Sequence, residues 1–509
     1  MPDRLSRWLA VLLVLLAVGW RLVHVTSWPL PFHPTVQYDS ANAARTIWLW
    51  LRGEPLAPKE KAWLAARPGR FVKLPILQTL TALMYLPDST ERPWVSGLFA
   101  SLFWLGGGWC LFAFVRRLGT GMAGALVSLA YYLLAPFGIV VSRSFQPEAV
   151  LVFAFLASLW ALPRFDRESR WRATTRAGIT AGLAMLVKPG IVLLPLLGAY
   201  VACAVRSLGL RGTLRSRQTY AFGLLTVLPS AVYTLAFLSH HVGAKIIPQL
   251  WADPNFYAGW GANIQTVVGW VPLAAAVIGA WLFRRTRVPL LSLGLGLGYI
   301  ASAFVFTWHT MTHDYYQVPL LVLTAICIGP LGDYTRVQAS RLHAYLLAGV
   351  RPAPRAQDLP AWCTVAAVVV FLAVGVLLPL PTAGILRGKY ADTMQIQLYE
   401  GIGRHVGRGN YVLCLSKDYG LPLMYHGWIV THYWPASWDK DHERVQTGAV
   451  VGDAQRLEEM LQHSTLAFFV VTDLDELARQ PALAALLTHR YPVSRSIPDV
   501  LIYDLQASR

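Results

Sequence analysis

Residues 173–205 read ATTRAGITAGLAMLVKPGIVLLPLLGAYVACAV, an apolar run broken at its middle by Lys188-Pro189-Gly190. A helix needs about 20 apolar residues to cross the roughly 30 Å hydrocarbon core of a bilayer. A Pro-Gly pair interrupts a helix, so this run reads as two short spans meeting at a turn. Comparable runs lie at 8–27, 94–115, 121–141, 147–163, 219–239, 264–283, 288–308, 315–331 and 361–383. Together they predict about eleven transmembrane helices, an α-helical polytopic membrane protein. Composition agrees: 55% of the 509 residues are hydrophobic and 14% are charged, where soluble domains carry about 25% charged residues.

The charges orient these spans. With Arg4 and Arg7 inside, Arg116 and Arg117, the cluster Arg164–Arg176, the cluster Arg206–Arg217, Arg284, Arg285 and Arg287, and Arg336, Arg341, Arg351 and Arg355 all fall on the cytoplasmic side. That distribution follows the positive-inside tendency. It also decides the apolar stretch 71–86 (FVKLPILQTLTALMYL): a crossing there would turn every later arginine cluster outward, so it is expected to lie at the outer interface. The first 27 residues lack a clear small-x-small cleavage site and read as an uncleaved anchor. The net charge of +17 does not indicate a nucleic-acid partner, because the arginines sit in short clusters between apolar runs and form no single basic face. Five cysteines show neither disulfide nor metal-ligand spacing.

Near Arg387 the chain changes character. Residues 1–386 carry a net charge of +19 and residues 387–509 a net charge of −2. Apolar runs shorten to strand length at Tyr411–Ser416, His426–Val430, Ala467–Thr472 and Leu501–Leu505, separated by helix-like stretches near 392–407, 452–463 and 473–487. This alternation predicts a small C-terminal α/β domain, extracytoplasmic after eleven spans. The expected organisation is a transmembrane domain over 1–386, with a first outer loop at about 28–93, and the α/β domain over 387–509.

Ionisable residues against a membrane are costly and mark functional sites. The first outer loop holds Asp39, Arg45, Arg52, Lys59, Lys61, Arg67, Arg70 and Lys73, a basic excess on the side where positive charge is usually scarce. An anionic ligand accounts for it; contact with lipid headgroups is the other reading. Asp39 follows Tyr38 and precedes a helical pattern over Ser40–Leu51, so it reads as an N-cap, a general base, or both. In the second outer turn, Ser142-Arg143-Ser144-Phe145-Gln146-Pro147-Glu148, Glu148 complements a helix N-terminus, while Arg143 can pair with it or hold a phosphate. Lys188 has no carboxylate near it in sequence; it reaches either to the interface or to a phosphate. Between the spans 288–308 and 315–331 lies Trp308-His309-Thr310-Met311-Thr312-His313-Asp314-Tyr315-Tyr316-Gln317. His309 and His313 have metal-like i, i+4 spacing, yet no HExxH carboxylate accompanies them. The aromatic segment His240–Asn263 suits sugar stacking or an interfacial aromatic belt.

These features resemble the GT-C glycosyltransferases, above all the family-39 type, which includes protein O-mannosyltransferases and the lipid A aminoarabinose transferase. The likeness covers roughly residues 1–335. It implies a GT-C fold and transfer of a sugar from a polyprenyl-phosphate carrier to an acceptor on the outer face of the membrane. Asp39 resembles the first-loop acid, expected to orient and deprotonate the acceptor hydroxyl. Phe71-Val72-Lys73-Leu74-Pro75 resembles the loop whose lysine holds the carrier phosphate. In the aminoarabinose transferase an acid precedes that lysine and helps bind zinc; here Val72 stands in its place. Gln146-Pro147-Glu148 resembles the second-loop acid motif, where the family more often has Asp beside Pro. Leu186-Val187-Lys188-Pro189-Gly190 resembles a Thr-Lys-Gly-Pro turn. His313-Asp314-Tyr315-Tyr316 is similar to a motif of unassigned role in many bacterial members.

The expected site therefore comprises Asp39 and Glu148 as catalytic acids and Lys73, Arg143, Lys188 and Arg70 on the donor phosphate. Tyr38, His313, Asp314 and Tyr315 are expected on the substrate. No motif demands a cofactor, and a divalent cation stays an open alternative. The partners implied are a polyprenyl-phosphate-sugar donor, a glycan, lipid or protein acceptor, and the bilayer, with no nucleic acid. The arginine-rich bias points to a bacterial inner membrane. Two other functions fit the sequence: a flippase or permease for a lipid-linked sugar, and an oligosaccharide ligase with a pyrophosphate-linked donor. Transporters usually show internal repeats; none is found here.

Overall fold

The computed structural model describes residues 4–23, 25–26, 32–66, 74–162, 170–237, 246–282, 288–348, 393–448, 451–463, 466–497 and 499–507. The helices are α1 (Arg4–Leu22), α2 (Pro34–Arg52), α3 (Pro58–Ala66), α4 (Ile76–Leu83), α5 (Val95–Arg117), α6 (Met122–Leu134), α7 (Pro136–Val141), α8 (Glu148–Ala161), α9 (Arg170–Val187), α10 (Leu193–Arg215) and α11 (Arg217–Phe237). They continue as α12 (Pro254–Val267), α13 (Trp270–Leu282), α14 (Val288–Val305), α15 (Thr307–Thr312) and α16 (Val318–Ala348). The C-terminal part adds α17 (Thr393–Val406), β1 (Tyr411–Leu415), α18 (Leu421–Gly427), β2 (Val430–Tyr433), α19 (Ser437–Thr447) and α20 (Asp453–His463), then β3 (Phe468–Val471), α21 (Leu474–Ala478), α22 (Pro481–Arg490), β4 (Val493–Ile497) and β5 (Val500–Asp504). These fall into two compact units, one of Met1–Thr26, Phe71–Leu77 and Ser96–Gly388, the other of Ser27–Arg70, Gln78–Val95 and Lys389–Arg509.

The first unit is a helical membrane body. Among the described residues five helices are long and apolar enough to span a bilayer, or six if the pair α12–α13, bent by 85° at Gly269, counts as one span. This is fewer than the eleven expected, for physical reasons. The run 121–141 is cut by Pro136 into α6 and α7, and α8 has only 14 residues. The run 361–383 lies outside the described residues. Lipid-facing side chains such as Leu102, Trp109, Leu235 and Val277 remain exposed, as expected where the solvent is hydrocarbon. Close helix contacts rely on missing side chains: a Cβ on Gly198 of α10 would strike the backbone of Gly294 on α14, and the reverse holds for Gly294. Asp333 of α16 is satisfied inside the bundle, accepting from the backbone N–H groups of Gly121 and Gly124 (2.9 Å for the latter) at the start of α6.

The second unit is built around a five-stranded sheet of order β2-β1-β3-β5-β4. β1, β2 and β3 run parallel, and β5 is antiparallel to both β3 and β4. Alternate residues of each strand face opposite sides. Leu413, Leu415, Phe469 and Val471 pack with α20 and α22, while Val412, Cys414, Val470 and Ile502 pack with α17 and α18. The same unit includes α2, which contacts α18. Three local expectations change. His426 ends helix α18, and β2 begins only at Val430; the stretch 473–487 is split at Gln480-Pro481; β4 was not foreseen. Of the stretch 71–86, the described residues 74–86 hold one helix, the eight-residue α4, too short to cross a bilayer, as expected of a segment that does not span.

Candidate functional site

In the helical unit three turns converge. Glu148 is the first residue of α8, after Pro147. Lys188 directly follows α9, and its backbone N–H still bonds the Ala184 carbonyl (3.1 Å) before Pro189 stops the helix. Gly190 turns the chain with φ +96°, and a Cβ there would lie 2.6 Å from the Phe306 ring. This turn carries the Lys188 ammonium to the Glu148 carboxylate as an ion pair, both side chains buried. The same ammonium stands 3.2 Å from the centre of the Tyr315 ring. The sequence had offered Lys188 no neighbouring carboxylate; the fold supplies one 40 residues away.

The segment on either side of Tyr315 is braced by hydrogen bonds that sequence reasoning missed. Gln317 and Asn263 donate to the Thr310 carbonyl (3.2 and 3.0 Å), Tyr299 donates to Gln317, and Trp260 donates to the Tyr299 hydroxyl (2.6 Å). Only the density of aromatics in 240–263 and 308–317 signalled this. His313 packs edge-on against Tyr315 with ring centres 5.2 Å apart, and Thr312 Oγ1 lies 2.7 Å from its Nδ1. The His309 and His313 rings are 5.4 Å apart. Asp314 opens the short turn Asp314–Gln317. Among the described residues no group of three or more His, Cys, Asp or Glu side chains is placed to hold a metal ion.

Arg143 donates to the Val23 carbonyl. Beside it, Arg21 of α1 is buried, its Nε on Ser142 Oγ (2.8 Å) and its Nη1 on the carbonyls of Ala17 (2.9 Å) and Leu133 (3.1 Å). A lone arginine within an apolar run was the available signal for this residue.

In the sheet-containing unit, α2 presents Asp39. From Gln37 to Leu49 every residue is buried except Asp39, which is exposed. His33 precedes the helix and Pro34 opens it, so Asp39 lies within α2 and is not its N-cap. The helix is pinned on both sides of this carboxylate. Tyr38 Oη lies 3.0 Å from His426 Nε2, and burial with the nearby Arg45 charge lowers the His426 pKa to about 4. Arg45 binds Glu91 through Nε and Nη2 (2.9 and 3.1 Å), donates from Nη1 to the Tyr425 carbonyl (2.6 Å), and lies 3.8 Å from the ring centres of both Tyr425 and Trp428.

Three further described cations of this loop are also engaged. Arg52 pairs with Glu60, Lys61 with Glu54 (3.2 Å), and Lys59 sits 4.2 Å from the Trp428 ring centre. The basic excess of this loop is thus partly structural. Lys73 and Arg70, expected on the donor phosphate, lie outside the described residues.

The helical membrane body and the small α/β sheet resemble in fold the GT-C class of membrane glycosyltransferases. Residues 76–237 match the family described as dolichyl-phosphate-mannose-protein mannosyltransferase, and the chain resembles the family-39 branch of that class. Two crystal structures of ArnT from Cupriavidus metallidurans share the fold along the whole chain, each with 98% of both chains covered and a TM-score of 0.59. One is in the apo state (15% identity), the other bound to undecaprenyl phosphate (16%). The archaeal oligosaccharyltransferase AglB from Archaeoglobus fulgidus, in complex with an inhibitory peptide and a dolichol-phosphate, is similar at 11% identity and TM-score 0.53, over 95% of this chain and 72% of that one. No curated protein sequence matches.

Proposed function

We propose that this chain is an inverting glycosyltransferase that takes a sugar from a polyprenyl-phosphate carrier and adds it to an acceptor hydroxyl on the outer face of a bacterial inner membrane. The observation that carries this reading is the single exposed carboxylate of Asp39 on a helix otherwise buried from Gln37 to Leu49. A base needs a fixed position and access to its proton; the Arg45 and Tyr38 contacts supply the first, and exposure supplies the second. The undecaprenyl phosphate and dolichol-phosphate bound by the similar structures support a polyprenyl-phosphate donor.

In the reaction the acceptor oxygen attacks the anomeric carbon from the face opposite the phosphate. The carbon–phosphate oxygen bond breaks, and the acceptor proton passes to Asp39. Charge developing on the departing phosphate is stabilised by cations, the role assigned to Lys73, Arg70, Arg143 and Lys188. Glu148 holds Lys188 in place, and Tyr315 with His313 and Asp314 shapes the surface next to it. Tyr38 acts through His426 to fix α2.

Membranes supplied with undecaprenyl-phosphate-linked mannose, glucose, arabinose and aminoarabinose test this reading. The wild-type protein should transfer one of these sugars with inversion. Asp39→Asn and Lys73→Ala should abolish transfer while melting like the wild type. Full activity in both variants removes the mechanism.

A further inference from the structure

The three parallel strands β2, β1 and β3 end on the same edge of the sheet. The chain leaves β1 toward one flank to form β2, then crosses to the other flank to form β3. Such a reversal opens a crevice at the carboxyl ends of the strands, where open α/β sheets bind ligands. Here a cavity of about 440 Å³ occupies it, lined by Tyr419, Trp438, Tyr433, Asp418, Asp473 and Glu476 among others. Its size lies within the range of about 300–1,000 Å³ usual for small-ligand sites.

The lining selects the ligand. Helix N-termini at such a crevice commonly hold phosphate, but here carboxylates already occupy them. Asp473 accepts from the Glu476 N–H (3.1 Å), Glu476 from the Ser437 N–H (2.6 Å), and Asp439 from the Ala436 N–H (3.1 Å). Three carboxylates line the cavity, Asp418, Asp473 and Glu476, against two cations, Lys417 and Arg479, and Arg479 is paired with Glu476 (3.5 Å), so the lining holds no surplus positive charge for an anion. Aromatic faces are meanwhile left open: Trp438 is 51% and Tyr419 37% exposed, their rings nearly perpendicular at 80° with centres 6.1 Å apart. The Tyr419 ring is braced edge-on by Tyr433 at 4.7 Å. Asp418 and Tyr419 both adopt left-handed backbone, φ +53° and +57°, a conformation non-glycine residues keep only where surrounding structure enforces it. Thr35 Oγ1 donates to Asp418 Oδ1 (3.1 Å). Perpendicular aromatic faces beside carboxylate acceptors match a pyranose, whose C–H face stacks while its hydroxyls donate.

We propose that this cavity binds a neutral pyranose unit, and that the unit belongs to the acceptor glycan; the second part rests on the transferase reading above.

The test uses the full chain in lipid nanodiscs and saturation-transfer NMR with mannotriose, maltotriose, galactotriose and chitotriose, and with pyrophosphate as anionic control. At least one neutral trisaccharide should be saturated in the wild type. Trp438→Ala and Asp418→Asn should weaken its binding at least tenfold, with an unchanged melting profile confirming that the domain is folded. Asp39→Asn should bind it as the wild type does. Undiminished saturation in both cavity variants, no saturated sugar at all, or binding of pyrophosphate in place of every sugar overturns the proposal. Transfer measured on the same preparations separates the two readings: an active Asp39→Asn protein that still binds sugar through Trp438 removes the transferase mechanism and leaves the sugar site standing.

Discussion

Arg45 and Glu91, 46 residues apart in sequence, meet in a side-on ion pair in which two guanidinium nitrogens face two carboxylate oxygens at 2.9 and 3.1 Å. Tyr425 closes the arrangement from the C-terminal part of the chain, its hydroxyl donating to Glu91 and its carbonyl accepting from Arg45. Removing one member of a buried pair leaves the other charge uncompensated, which costs about 3–5 kcal/mol. Arg45→Leu should therefore lower the melting temperature and raise amide exchange across α2 and α18. Arg45→Lys should recover only part of this, because an ammonium cannot make the paired contact. Unchanged exchange in Arg45→Leu would show that the pair does not hold the helix.

His426 makes this unit sensitive to acid. Its pKa falls from 6.5 to about 4 because burial and Arg45 disfavour the imidazolium. A depressed value means that stability is fully present above about pH 6.5 and is lost as pH drops toward 4. At about 1.4 kcal/mol per pKa unit the loss amounts to about 3 kcal/mol. The melting temperature should fall over that window, and His426→Gln should flatten the slope. An equal slope in the variant would assign the effect to other groups.

Lys188 and Glu148 form a second buried pair, and a double-mutant cycle separates structure from chemistry. Lys188→Met and Glu148→Leu should each destabilise the protein by about 3–5 kcal/mol. The double variant should regain most of this stability, since the apolar replacement of a buried pair is often near neutral. It should not regain donor use, measured as product formed from the undecaprenyl-phosphate sugar. Recovery of activity along with stability would reduce Lys188 to a structural role.

The Gly190 turn sets where Lys188 points. Gly190→Ala puts a side chain at φ +96° and against the Phe306 ring, so it should cost about 1–3 kcal/mol. Adding Phe306→Ala removes the collision but leaves the backbone strain, and should restore the melting temperature only in part. Full restoration would mean that the collision alone matters.

The membrane character, the break at Lys188-Pro189-Gly190 and three of the five strands were legible in the sequence because each depends on local properties: apolar length, a Pro-Gly pair, short β-rich runs. The span count was less legible, since hydropathy alone does not show that Pro136 cuts one apolar run into two helices. Pairings were not legible at all. Lys188 finds Glu148 across 40 residues and Tyr38 finds His426 across 388, and one sequence holds no periodicity that links such positions. Asp39 read as a helix cap, a base, or both; the left-handed residue before α2 is His33, which places Asp39 inside the helix. Arg21 went unnoticed because one arginine at the end of an apolar run looks like an interfacial anchor.

The contacts of Arg45 with Tyr425 join parts of the chain 380 residues apart. A ribosome adding about 5–20 residues per second needs roughly 20–80 s between them. Throughout that interval the segment bearing Asp39 has been made while its final partners have not. Assembly of this protein is therefore a waiting process, and a chain released before α18 is synthesised would carry Asp39 on a helix that lacks its final supports.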